Sequence, residues 1–190
     1  QVKARISDPA IVQRLLDHPE VTIARTSHYR QYDTYFEFDG VDDYRLRYRE
    51  DDFIGPDGRL ANARTRLTLT EGGKEREYDN AVLLSRSRYI SDATRPLRFY
   101  REYVQAEHEQ LVTKERRRWH IDYKGMRFYA NLDELIDPPV PGYFLELKSR
   151  TWSLTDAGHK ADAINELLVI LGIDKESLIR EEYVAFAEKT

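Results

Sequence analysis

The chain has 190 residues, of which 34% are charged, a formal net charge of −4 and no cysteine. That length suits one domain, residues 1–190, with a sizeable core. The lack of cysteine excludes disulfides, thiol catalysis and thiolate metal sites, and it fits a cytoplasmic setting. The acidic balance argues against a nucleic-acid partner, and no stretch has the apolar length of a membrane span, so no membrane partner is expected.

Residues 1–6 alternate as a strand, and Ser7, Asp8 and Pro9 mark a helix start with Ser7 or Asp8 as cap. Ile11, Val12, Leu15 and Leu16 then recur at helical spacing. Residues 21–38 are β-branched and aromatic, with Tyr29, Gln31, Asp33 and Tyr35 on one parity, and predict a long strand. A turn over 39–43 leads to a strand over 44–50, and 53–58 form a larger loop; Asp42, Asp43, Asp51 and Asp52 read as turn or loop residues. A strand over 64–70, a turn over 71–74 and a partner strand over 75–79 follow, with Glu75 and Glu77 on one face. Residues 92–103 read as a helix interrupted by Pro96.

Strands over 110–123 and 126–132 flank a turn at 124–125, and Asp133 and Glu134 end the second. Pro138, Pro139 and Pro141 mark a rigid loop, after which 143–150 alternate with Phe144, Glu146 and Lys148 on one parity. Thr155 or Asp156 caps a helix that carries Ala157, Ala161, Ile164, Leu167, Leu168 and Leu171 and ends at Gly172. Residues 178–186 form an edge strand or a short helix. Trp119 and Trp152 are expected to pack against helices, and His28, His108, His120 and His159 are scattered without ligand spacing. About eight strands joined by hairpin-length turns predict an α+β fold, an eight-stranded antiparallel β-barrel or tunnel with flanking helices.

The chemistry lies in the charges that alternate along four of these strands. The period of two puts Arg45, Arg47 and Arg49 on one face, and the pattern recurs in Lys3 and Arg5, in Arg64 and Arg66, and in Lys114, Arg116 and Arg118. Like charges stacked at i, i+2 repel one another, so four such strands are best arranged pointing inward at a polyanion. The acids that balance them must be concentrated elsewhere. By contrast, Ser85, Arg86, Ser87 and Arg88 are a basic loop with no further signal.

The stretches YRLRYRE (44–50), TKERR (113–117), NLDEL (131–135) and PGYFLELKSR (141–150) resemble, in order and spacing, the CYTH domain of the triphosphate tunnel metalloenzymes. The resemblance covers essentially the whole chain. It implies a tunnel that binds a triphosphate along inward Lys and Arg while Glu and Asp hold a divalent metal. Lys3 and Arg5 match the basic end of the family's first strand, Arg47 and Arg49 its arginine pair, Lys114 and Arg116 its later basic strand, and Asp133 its carboxylate. Three positions depart from the pattern: Gln1 stands where an acid belongs, Lys148 follows Glu146 where the family prefers a second Glu, and Thr70 replaces a lysine.

On this resemblance the expected activity is metal-dependent hydrolysis of a triphosphate-bearing substrate or polyphosphate, with Mg²⁺ or Mn²⁺ as cofactor. Lys3, Arg47, Arg49 and Arg116 are the expected catalytic residues, and Arg5, Arg45, Arg66, Lys114, Arg118 and Lys148 join them in binding substrate. Glu77, Asp133 and Glu146 are the expected metal ligands. Gln1 and Lys148 favour a second reading, a module that binds polyphosphate or nucleotide without hydrolysis, and cyclisation of ATP is a third. The chain opens on Gln1 rather than Met, so it reads as processed or as a piece of something longer, and the second reading implies a fused or neighbouring catalytic domain as partner.

Overall fold

A computed structural model describes residues 1–40, 44–71, 76–79, 82–84 and 88–187. The expected turn at 72–74, with Glu75, Asp42, Asp43, Ser85, Arg86 and Ser87, lies outside them. In chain order the elements are β1 (Val2–Ile6), α1 (Ile11–Leu16), β2 (Val21–Glu37), β3 (Tyr44–Ile54), β4 (Leu60–Glu71), β5 (Arg76–Tyr78), β6 (Val82–Leu84) and β7 (Arg88–Asp92). Then come α2 (Leu97–Val104), β8 (His108–Tyr123), β9 (Met126–Asp137), β10 (Tyr143–Lys148), α3 (Leu154–Leu171), β11 (Leu178–Ile179) and α4 (Val184–Ala187). The fold is α+β, as expected, and every pairing is antiparallel.

The sheet differs from the expected barrel in how it closes. Nine strands run in the order β11-β1-β10-β9-β8-β2-β3-β4-β7, and β5 pairs only with β6. Among the described residues no ladder joins β7 to β11. Instead the β5–β6 hairpin reaches back to the first strand, where Gln1 and Leu83 exchange backbone bonds of 2.9 and 2.7 Å. The curled sheet therefore has an inner face, and the hairpin arm helps to enclose it.

Alternation sorts the residues of each strand between the two faces. On β10, Leu145 and Leu147 face outward and are fully buried with Val2, Ala4, Phe128 and Ala130 beneath Leu167 and Leu171 of α3. Each such leucine contributes about 1.5–3 kcal/mol by leaving water. α2 covers the outer face at the other end, where Tyr100 packs with Phe36 and Tyr48. With both outer regions covered by apolar side chains, the opposite parity is left to carry the charged residues inward.

Several boundaries differ from the sequence reading. Pro96 sits just before α2 rather than inside it, since a proline ring suits a helix start and breaks an interior. α3 is capped by Ser153, whose Oγ accepts from Asp156 N at 3.1 Å, and is closed by Gly172 at φ +70°. Asp8 steadies the start of α1 by accepting from Ala10 N at 2.8 Å, although Ala10 occupies the cap position. Asp51 and Asp52 lie within β3, not in a loop. Trp152 is 83% exposed and does not pack against a helix. The last segment contains both expected forms, a two-residue strand and a short helix. No helix among the described residues is long and apolar enough to cross a membrane.

Candidate anion-binding site

The inner face holds a cavity of about 190 Å³. Among the described residues seven cations line it: Lys3 from β1, Arg47 and Arg49 from β3, Lys114 and Arg116 from β8, Lys148 from β10, and Arg180. Two carboxylates, Glu146 and Glu182, face them. Tyr35, Tyr183 and Gln1 complete the wall.

Buried acids behind this wall hold the cations in place. Asp33, fully buried on β2, accepts from Arg49 Nε at 2.5 Å, from Arg49 Nη2 at 2.6 Å and from Lys114 Nζ at 2.7 Å, and Arg47 Nε lies 3.9 Å away. Asp133 takes a two-pronged bond from Arg116 and a third from Tyr183 Oη at 2.6 Å. Glu146 Oε2 accepts from Asn131 Nδ2 at 2.9 Å and from Arg116 Nη2 and Lys148 Nζ at 3.2 Å each. Deeper along the inner face, Asp51 accepts from Gln31 at 2.6 Å, Arg64 at 2.8 Å and Arg66 at 2.7 Å. Paired charges of this kind avoid the several kcal/mol that a lone buried ion costs.

The electrostatics follow from these contacts. Burial alone would raise the Asp33 carboxyl, but Arg49, Lys114 and Arg47 outweigh it and hold the group well below the usual carboxylate range. Asp133 is lowered against burial in the same way, chiefly by Arg116. Burial, reinforced by Asp133, pushes the Tyr183 phenol well up.

Lys114 goes the other way. Burial pushes its ammonium down to about 7; Arg49 and Arg116 add to the fall, and Asp33 opposes it. The unfolded chain keeps that proton up to about pH 10, so this group makes stability rise as pH climbs from about 7 toward 10. Anion binding has the opposite dependence, because an anion favours the charged amine. Affinity is expected to be flat in Lys114 charge below about pH 7 and to fall by up to about tenfold per unit above it. Binding enthalpies in buffers of different ionisation heat at alkaline pH would show the proton uptake, and Lys114→Gln should remove it.

Of the ten cations expected to bind substrate, the cavity gathers Lys3, Arg47, Arg49, Lys114, Arg116 and Lys148. The other four stand outside its lining. Arg5 is exposed and donates to Pro141 O at 2.8 Å; Arg45 is half-buried beyond Arg47; Arg66 is bound to Asp51; Arg118 donates to Asn131 Oδ1 at 2.7 Å. The expected metal ligands do not assemble either. Glu77 is exposed on β5 and paired with Arg180, and Asp133 is sealed behind Arg116 and Tyr183. Among the described residues no three His, Asp or Glu side chains converge to hold a metal ion. Mg²⁺ needs carboxylate oxygens that can turn to it, and the Asp133 oxygens and Glu146 Oε2 are engaged by cationic or polar donors, so these residues as placed do not fit a metal held by the protein.

The residues not expected in the site include Asp33, Asp51 and Asn131 behind the wall and Tyr35, Arg180, Glu182 and Tyr183 on it. Asp33 does share the parity of Tyr29, Gln31 and Tyr35, and an acid in an inward register between two cationic strands was the available signal. The segment bearing Tyr183 carries no such pattern. It reaches the cavity through a Lys3 Nζ bond to Glu181 O at 2.7 Å, with that ammonium 4.2 Å over the Tyr183 ring.

No protein-family model matches the sequence, and neither does any curated protein. Solved structures do match in fold. A protein of Pyrococcus horikoshii OT3 superposes with a TM-score of 0.68 at 15% identity, over 100% of this chain and 98% of its own. A conserved hypothetical protein of Pyrococcus furiosus gives 0.63 at 17% identity, over 97% and 96%. A candidate adenylate cyclase of Vibrio parahaemolyticus gives 0.63 at 13% identity, over 100% and 96%. At such identities the likeness is one of fold, shared nearly end to end, and it agrees with the tunnel fold implied by the CYTH resemblance.

Proposed function

We propose that the protein binds a triphosphate-bearing or polyphosphate small molecule in this cavity. One observation carries the reading: seven cations and two carboxylates share a space of about 190 Å³ walled by rigid strands. Arginines suit paired contacts to phosphoryl oxygens, and lysines act as point charges. The buried acids hold these cations in position in advance, so little ordering remains to be done on binding.

Metal-dependent hydrolysis of the same ligand is the second reading. It is favoured by the position of Glu146 on the cavity wall, and it requires Glu146 to exchange its present donors for a cation. The candidate adenylate cyclase among the structural neighbours adds ATP to the ligands to be tried, with cyclisation as a third outcome. Binding of tripolyphosphate, pyrophosphate, ATP and thiamine triphosphate by calorimetry tests the first reading. Phosphate or cyclic-nucleotide release, with and without Mg²⁺ or Mn²⁺, tests the others. Salt-sensitive binding of tripolyphosphate is expected; failure of every ligand to bind would overturn the proposal.

A further inference from the structure

We infer that the cavity takes its anion bare, with Lys148 and Arg116 occupying the role around Glu146 that a divalent cation would otherwise fill. This rests on the anion-binding reading above. Glu146 Oε2 receives Arg116, Lys148 and Asn131 at 2.9 to 3.2 Å, so this carboxylate oxygen already has a cationic shell supplied by the chain itself. The next acid, Asp133, is fully buried and bonded to Arg116 and Tyr183. Glu182, the remaining carboxylate on the wall, lies 4.0 Å from Lys3.

A divalent ion entering this space would meet seven like charges and would have to displace ammonium and guanidinium groups from the oxygens it needs. The same cations are placed to meet phosphoryl oxygens directly. Lys148 is the residue that decides the matter: it stands two positions after Glu146 on the same face of β10 and sets an ammonium 3.2 Å from that carboxylate.

The consequence has a sign opposite to that of a metal-dependent site. Mg²⁺ in solution neutralises the triphosphate before it arrives and so competes with the protein for it. Calorimetric titration of tripolyphosphate into the wild-type chain is expected to give nearly the same affinity in EDTA as in metal-free buffer, and an affinity about tenfold weaker in excess Mg²⁺. Lys148→Glu should reverse the order, losing at least about tenfold in EDTA and recovering affinity when Mg²⁺ is added. Circular dichroism checks that this variant is folded, and the wild-type comparison stands without it. Wild-type binding that EDTA abolishes, or that Mg²⁺ strengthens, would overturn the inference while leaving anion binding intact. A wild-type chain that binds tripolyphosphate in neither buffer would overturn the underlying reading instead.

Discussion

Asp33→Ala is expected to lower folding stability by about 3–5 kcal/mol, the cost of leaving buried charge without its partner. The residue is fully buried and joins Arg49 to Lys114 with bonds of 2.5 to 2.7 Å, while Arg47 lies 3.9 Å from it. Without it three cations from two strands face one another with no acid between them. With a urea slope of about 1–3 kcal/mol per molar, the midpoint should fall by roughly 1–5 M. The same variant provides a test of what the acid is for. A bound polyanion would replace the missing charge, so tripolyphosphate should restore the midpoint by more than it raises that of the wild type. At a hundredfold excess over the dissociation constant, binding alone contributes about 2.7 kcal/mol. A midpoint shift under about 0.5 kcal/mol would mean that the three cations do not depend on Asp33.

Arg47→Ala is expected to do the reverse, weakening tripolyphosphate binding by about 10- to 100-fold while costing less than about 1 kcal/mol of stability. Among the described side chains its Nε is buried without a hydrogen-bond partner, its Nη2 reaches Thr68 Oγ1 only at 3.5 Å, and its guanidinium lies 5.8 Å from the Tyr35 ring. Its nearest acid, Asp33, lies 3.9 Å away, beyond hydrogen-bond distance. Asp33 keeps Arg49 and Lys114 when Arg47 is removed, so the fold loses little. Arg116→Ala supplies the contrast, because it strands Asp133 and weakens the shell of Glu146. Calorimetric affinity and urea midpoints, measured on both variants, separate a ligand contact from a structural one. Equal affinity for Arg47→Ala and wild type would remove Arg47 from the site.

The cations were legible in the sequence because their signal is local. Arg45, Arg47 and Arg49 alternate on one strand, and period two alone sets them on one face. The partners were not legible, because pairing is decided across the sheet. Asp33 meets Arg49 across 16 positions and Lys114 across 81, and no window along the chain contains all three. Asp51 was misread for a related reason. An Asp-Asp pair ordinarily marks a turn, yet here Gln31, Arg64 and Arg66 surround Asp51 and make a strand interior tolerable for a carboxylate. The edges of the curled sheet were hidden at the same level. The alternation of each strand says which face is inner, while the strand order and the contact of the hairpin arm with Gln1 join residues far apart in the chain.

The cavity draws on both ends of the chain, and this bears on how the protein is made. Lys3 is tied to Glu181 across 178 positions, and Tyr183 closes over Asp133 from 50 positions away. Contacts so distant in sequence slow folding, since the loop must be closed before the contact can reward it. A ribosome that has delivered residues 1–150 has therefore made six of the seven lining cations, yet not the tyrosine that settles among them. Until these residues emerge, Lys3 lacks its bond to Glu181 and Asp133 has Arg116 but not the Tyr183 hydroxyl. Polyanion binding by a nascent chain would accordingly report the arrival of residues 181–183, not the folding of any one strand.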